Sequence, residues 1–279
     1  MISYPNCKIN LGLQIHDKRA DGFHNIETIF LPITIYDIIE FIPQKKKDIN
    51  NVTCSVTGIN IDSTIENNLC VKAYNLLKKT NPTLPPIQLH IHKIIPIGAG
   101  LGGGSADAAC MLKELNNFFE LKLSNVQLQS LALELGSDCP FFIENKPVFA
   151  TGRGEVFTEI KLDLSNYAII ILFPNIAIST KWAFDNVQIK KPTSSLLEEI
   201  KKPMELWKHT IYNDFEESIF KEYPILQALK NQFYESNAVY ASLSGTGSVV
   251  YGIFKKTDPL FYLQNMDGLT IEQFYCTFI

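Results

Sequence analysis

The sequence predicts a mixed α+β protein in two lobes, and three observations carry that prediction. Apolar and polar residues alternate with period two through much of the first third of the chain, the pattern of half-buried strands. A glycine loop then opens onto two helical patterns in succession, with no strand between them. Beyond Gly154 the pattern changes again: an almost continuous apolar run precedes several helical patterns and two more β-rich runs. With 279 residues, 46% of them hydrophobic, the chain can bury one large core or two modest ones.

Along 7–16, Cys7, Ile9, Leu11, Leu13 and Ile15 alternate with Lys8, Asn10, Gly12, Gln14 and His16, which reads as a half-buried strand. Lys8 and Asn10 share its polar face, either aimed into a cleft or simply solvated. The turn at 17–22 leads to Phe23 and His24, an adjacent aromatic and imidazole that could grip a planar ring or serve core packing. Segments 36–42 and 52–56 read as strands around a lysine-rich turn at 44–48. Asn67 or Asn68 can cap a helix striped with Leu69, Ala73, Leu76 and Leu77, which Pro82, Pro85 and Pro86 end. Ile87, Leu89 and Ile91 then alternate with Gln88, His90 and His92. The two histidines share a face, but with no third ligand nearby they read as a polar strand face rather than a metal site.

That strand delivers PIGAGLGGGSADAA, with Gly98, Gly100, Gly102, Gly103 and Gly104 inside seven residues. Glycine permits positive φ and close approach of backbone to a ligand, so amide groups become the contacts. Ser105 and Asp107 can open a helix carrying Ala108, Met111, Leu112, Leu115 and Phe118, and a helix N-terminus suits phosphate. Gly98, Gly100 and Gly103 also satisfy a dinucleotide fingerprint, and Glu120 follows at a suitable distance. A second helix stands where that fold needs a strand, however, so the reading fails. A Walker A loop needs lysine where this chain has Gly104. The loop therefore reads as a polyphosphate cradle built from backbone amides.

Ser124 and Gln127 form a capping box for a helix with Leu128, Leu131 and Leu135, stopped by Gly136. Asp138 follows in a loop among Cys139, Pro140, Phe141 and Phe142. An acid in so apolar a stretch calls for a cation, and Lys8 is the candidate. Residues 151–154 read as a tight turn and 168–173 as a strand buried on both faces. Helical patterns occupy 179–184, 196–200, 206–220 and 225–234, interrupted by Pro203 and Pro224. A second glycine turn, 243–248, lies between β-rich runs, either as a hairpin or as another wall of the cleft.

The net charge of −4 gives no overall attraction to nucleic acid or anionic membrane, and no apolar stretch approaches a membrane span. The first residues lack a signal pattern, so a cytoplasmic protein with small-molecule partners is expected. Its six cysteines are scattered singly and read as reduced, mostly buried thiols.

Taken together the residues resemble the GHMP small-molecule kinases, a family that includes galactokinase, homoserine kinase and mevalonate kinase. The resemblance rests on CKINLGLQIHDKRADGFH, ENNLCVKA, PIGAGLGGGSADAA, LGSDCPFF, ATGRGE and LSGTGS, which follow one another across almost the whole chain. It implies a ribosomal protein S5 domain 2-like N-terminal lobe over 1–157 and a ferredoxin-like C-terminal lobe over 158–279. The context of the motifs is similar to the branch that phosphorylates the 2-hydroxyl of a diphosphocytidyl polyol on the way to isoprenoid precursors. A homoserine- or mevalonate-type kinase and a catalytically inactive nucleotide sensor are the alternatives, the sensor disfavoured by retention of both Lys8 and Asp138.

On this resemblance Asp138 is the base that takes the substrate proton, Lys8 the cation that orients it, and Asn10 a polar contact beside them. His24 would bond the cytosine edge while the ring stacks between Phe23, where the family commonly has tyrosine, and Phe184. Asn68 and Lys93 would serve the adenosine side of ATP, with Pro96, Gly98, Gly100, Leu101, Gly102, Gly103, Gly104 and Ser105 around its phosphates. Mg²⁺ should accompany ATP, with Ser105 as its candidate ligand. The resemblance implies no nucleic-acid or membrane partner, and a monomer or weak homodimer.

Overall fold

A computed structural model describes residues 1–44, 52–60, 64–190, 192–258 and 271–277. Most of the lysine-rich turn expected at 44–48 lies outside these residues, as does the side chain of Cys276. The chain forms two compact units that interleave along the sequence. The first takes Met1–Cys7, Ile35–Ile97 and Gly102–Asn145; the second takes Lys8–Thr34, Gly98–Leu101 and the residues from Lys146 onward.

In the first unit a four-stranded sheet has the order Ile2–Ser3, Ile38–Pro43, Ile87–Lys93, Val52–Gly58. The strand Val52–Gly58 runs parallel to Ile87–Lys93, and the other pairings are antiparallel. Ile87, Leu89 and Ile91 are buried, and His90 and His92 point to the polar side, where they bond the hydroxyls of Ser55 and Thr57. Three longer helices and the short helix Phe141–Glu144 complete the unit. Asn68 caps Leu69–Thr80 by accepting from the Cys70 amide, and Ser124 and Gln127 form the expected capping box of Asn125–Leu135. The helix Gly103–Phe118 buries Ala106, Ala108, Ala109, Met111, Leu112 and Leu115. Phe118 departs from the expected stripe: it is largely exposed at the helix end, edge-on to Phe41 and Phe119.

Two sheets belong largely to the second unit. One orders Tyr240–Leu243, Val250–Lys255, Tyr167–Phe173 and Glu272–Cys276, all antiparallel. Tyr167–Phe173 is central in it, which explains its unbroken apolar run. The other orders Asn6–Lys18, His24–Tyr36, Val148–Thr151 and Val156–Glu159. Phe215, Leu226, Leu229 and Phe233 pack against Ile170 and Leu172 in the core.

Two further expectations change. The strand Asn6–Lys18 is not half-buried, because every residue from Asn6 to Ile15 is buried on both faces. Its polar face is therefore neither solvated nor simple packing, and each polar group on it needs a partner. The helical pattern 206–220 is also broken, into Met204–Thr210 and Glu216–Glu222. Residues 212–214 leave the helix to run beside Leu13: the Leu13 amide donates to the Tyr212 carbonyl, and the Leu13 carbonyl accepts from the Asp214 amide. The Asp214 carboxylate in addition accepts from the Ile15 amide at 2.7 Å. Three hydrogen bonds to a buried strand outweigh continuation of the helix.

Candidate active site

The glycine loop leaves the strand Ile87–Lys93 and enters the helix Gly103–Phe118. The helix begins earlier than expected, because Gly102 in the left-handed conformation (φ 70°) is its N-cap. Ser105 is thus the third helical residue, and neither it nor Asp107 is the cap. No side chain caps this end, so its first amides retain their capacity to donate. Gly100 has φ +81°, and a Cβ there would lie 1.9 Å from the Ser244 carbonyl oxygen. Only glycine fits.

Lys8 and Asn10 lie against this loop within the second unit. The Lys8 amide donates to the Leu101 carbonyl, and its ammonium donates to Asn10 Oδ1 at 2.5 Å and to the Gly100 carbonyl at 3.3 Å. Asn10 Nδ2 donates to Thr28 Oγ1 at 2.9 Å, and that hydroxyl donates to the Gly12 carbonyl. Ser244 closes the circuit: its Oγ accepts from the Asn10 amide at 3.2 Å and donates to the same Gly100 carbonyl at 2.8 Å. A cation beside a glycine loop, oriented by an amide oxygen, suits charge developing on a transferred phosphoryl group. The second glycine turn is accordingly both a hairpin, joining Tyr240–Leu243 to Val250–Lys255, and a support of this loop.

Also in the second unit, His24 stacks on Phe184 with ring centres 4.8 Å apart and planes at 19°. Burial, with Lys18 nearby, lowers the His24 pKa, so its imidazole is neutral at pH 7 and carries one donor and one acceptor. Phe23 is half-exposed, and the Arg153 guanidinium lies 4.6 Å from its ring centre. The turn at 151–154 places that arginine, and Glu155 accepts from both its amide and its Nε. One face of Phe184 is thus taken by His24, and one face of Phe23 by Arg153.

In the first unit Asn68 lines a cavity of about 270 Å³ with Cys54, Val56, Thr57, Gly58 and Asn60. Lys93 is buried, with its ammonium held between Asp37 and Asp107; the Asp107 contact is 2.6 Å. Burial works against the ammonium but the two carboxylates outweigh it, and its pKa is raised. Burial pushes Asp107 up to about 7, against the pull of Lys93 and with a further push from Asp37. Asp37 accepts in addition from the amides of Ile94 and Ile95, which begin the approach to the glycine loop. Burial pushes the Cys139 thiol, close to Ser105, up to about 11. Asp138 is half-buried on the turn between Asn125–Leu135 and the short helix Phe141–Glu144.

The GHMP kinases N terminal domain matches residues 68–146, and the GHMP kinases C terminal domain matches 193–261. The chain belongs to the GHMP kinases. It is 49% identical over 257 residues to a 4-diphosphocytidyl-2-C-methyl-D-erythritol kinase of Azobacteroides pseudotrichonymphae, covering 92% of this chain and 94% of that one. Identity is 48% to the kinase of the same name from Bacteroides thetaiotaomicron, over 93% and 94% of the two chains. Its place among the GHMP kinases is thus the 4-diphosphocytidyl-2-C-methyl-D-erythritol kinase family. A crystal structure of a 4-(cytidine 5'-diphospho)-2C-methyl-D-erythritol kinase superposes with a TM-score of 0.73 at 26% identity, over 90% of this chain and 89% of that one. The mevalonate kinase of Methanococcus jannaschii has the same fold, with a TM-score of 0.74 at 17% identity over 100% and 98%.

Sequence reasoning missed Asp37, Thr28 and Ser244. Asp37 is a single acid between two strands and carries no spacing signal. Ser244 stood within a recognised glycine turn, but its partners Asn10 and Gly100 are remote in the chain.

Proposed function

We infer that the protein transfers the γ-phosphoryl group of ATP to the 2-hydroxyl of 4-diphosphocytidyl-2-C-methyl-D-erythritol, a step of the methylerythritol phosphate route to isoprenoid precursors. The observation that carries this is identity of 48–49% to kinases of that name over more than nine-tenths of the chain. Asp138 accepts the hydroxyl proton as the new O–P bond forms and the bond to the leaving ADP oxygen breaks. Lys8, oriented by Asn10, offsets the developing charge, and the glycine-loop and first-turn amides bind the phosphates. Asn68 serves the adenosine side. Lys93, its ammonium committed to two carboxylates, holds the entrance to the loop from below. His24, Phe184 and Phe23 hold the cytosine, and the neutral imidazole supports that assignment.

Mg²⁺ would neutralise phosphate charge. Ser105 at the helix end would offer the ion a hydroxyl donor; among the described residues no three His, Cys, Asp or Glu side chains converge on a metal position. A cytoplasmic location belongs to this reading, supported by a nucleotide-linked substrate and a reaction that draws on ATP. No helix among the described residues is long and apolar enough to cross a membrane.

The test is ADP release with ATP and a panel of alcohols. Turnover with the diphosphocytidyl substrate, and none comparable with homoserine or mevalonate, is expected. Comparable turnover of either alcohol would replace this reading with another kinase of the fold, and no ADP from any of them would leave a nucleotide sensor.

A further inference from the structure

The Gly100 carbonyl is a shared acceptor. It receives the Lys8 ammonium at 3.3 Å and the Ser244 hydroxyl at 2.8 Å, and Ser244 Oγ in turn accepts from the backbone amide of Asn10, whose side-chain oxygen takes the same ammonium. The four residues make a closed ring of hydrogen bonds. Three of its members belong to the proposed reaction; Ser244 belongs only to the ring.

We propose that Ser244 is a positioning residue for phosphoryl transfer: its hydroxyl fixes the Gly100 carbonyl, and through it the ammonium of Lys8. Ser244 is fully buried, so its hydroxyl cannot be replaced by solvent without cost. The turn that carries it is itself anchored. Asn213 Nδ2 donates to the carbonyls of Leu243 and Gly245, and Glu216 accepts from the Leu243 amide and the Ser242 hydroxyl while paired with Lys230. A turn held this firmly can impose a position on the loop. The contact is also tight, since Gly100 leaves no room for a Cβ against the Ser244 carbonyl. Loss of the hydroxyl leaves the Gly100 carbonyl with the ammonium as its remaining partner in the ring, and the peptide can rotate toward it. Lys8 then loses its fixed place while the nucleotide and cytidyl contacts stay.

The proposal rests on the assignment of Lys8 to the reaction, and a double-mutant cycle separates the two. Turnover and KM for both substrates are measured for the wild type, Ser244→Ala, Lys8→Ala and the double variant, with thermal melting of each. Ser244→Ala is expected to lower kcat on the order of tenfold to a hundredfold, as small misplacements of reacting groups do, with both KM values changed by no more than about twofold. In the Lys8→Ala background the same substitution should cost almost nothing. Equal losses in both backgrounds, or a loss confined to KM, would overturn the positioning role. Wild-type turnover by Lys8→Ala would instead overturn the assignment of Lys8. If Ser244→Ala does not fold, Ser244→Cys, which keeps a weak donor and fills the site, carries the same cycle with the same two outcomes.

Discussion

Asp107 meets the Lys93 ammonium at 2.6 Å through one oxygen, and its other oxygen is buried without a hydrogen-bond partner. Asp37, on the same ammonium, also accepts from the Ile94 and Ile95 amides. The two carboxylates are therefore unequal: Asp37 has three donors, while Asp107 has one oxygen without a partner and is pushed up to about 7 by burial.

This inequality makes stability depend on pH. With Asp107 raised from 3.8 to about 7, the folded chain binds more protons than the unfolded chain between those values. Its contribution is full below the unfolded value and is lost as pH rises toward the folded one. Melting temperature should thus fall across this window more steeply for the wild type than for Asp107→Asn. Parallel pH profiles for the two proteins would show that Asp107 does not hold the proton.

Replacing Asp37, with its three donors, should be far more costly than replacing Asp107. Asp37→Asn turns an amide toward a buried ammonium and should destabilise by roughly 3–5 kcal/mol, as broken buried pairs do. Asp107→Asn should cost a small fraction of that. Denaturant titration reads both, and equal losses would contradict the assignment.

The fold was legible where the signal was local. Alternation located the strands Asn6–Lys18 and Ile87–Lys93, and cap chemistry located the helices after Asn68 and Ser124. What pairing over long separations decides was not legible. The polar face of Asn6–Lys18 looks solvated until Thr28, Gly100 and Ser244 are brought to it, and the break at 212–214 exists because of Leu13. Within the site, the glycine loop and Lys8 announced themselves, but Asp37 and Ser244 matter only through partners found in three dimensions.

Asp138→Asn should bind ATP nearly as well as the wild type while losing most turnover, since it removes the proton acceptor and leaves the amides and the helix end intact. Calorimetric ATP binding together with steady-state rates tests this. Near wild-type kcat would remove Asp138 from the reaction.

His24 and Phe184, stacked at 4.8 Å, should act on one substrate only. His24→Ala or Phe184→Ala is expected to raise KM for the cytidyl substrate by roughly fivefold to tenfold, the worth of one stacking contact, with KM for ATP unchanged. Equal changes in both KM values would mean that the pair supports the fold instead of the base.

The most direct measurement is the phosphorus and proton NMR of the product formed from ATP and 4-diphosphocytidyl-2-C-methyl-D-erythritol. A single new phosphate monoester on the 2-hydroxyl, formed in step with ADP and lost in Asp138→Asn, is the predicted result. ATP hydrolysis without a new ester, or a phosphate on another hydroxyl, would contradict it.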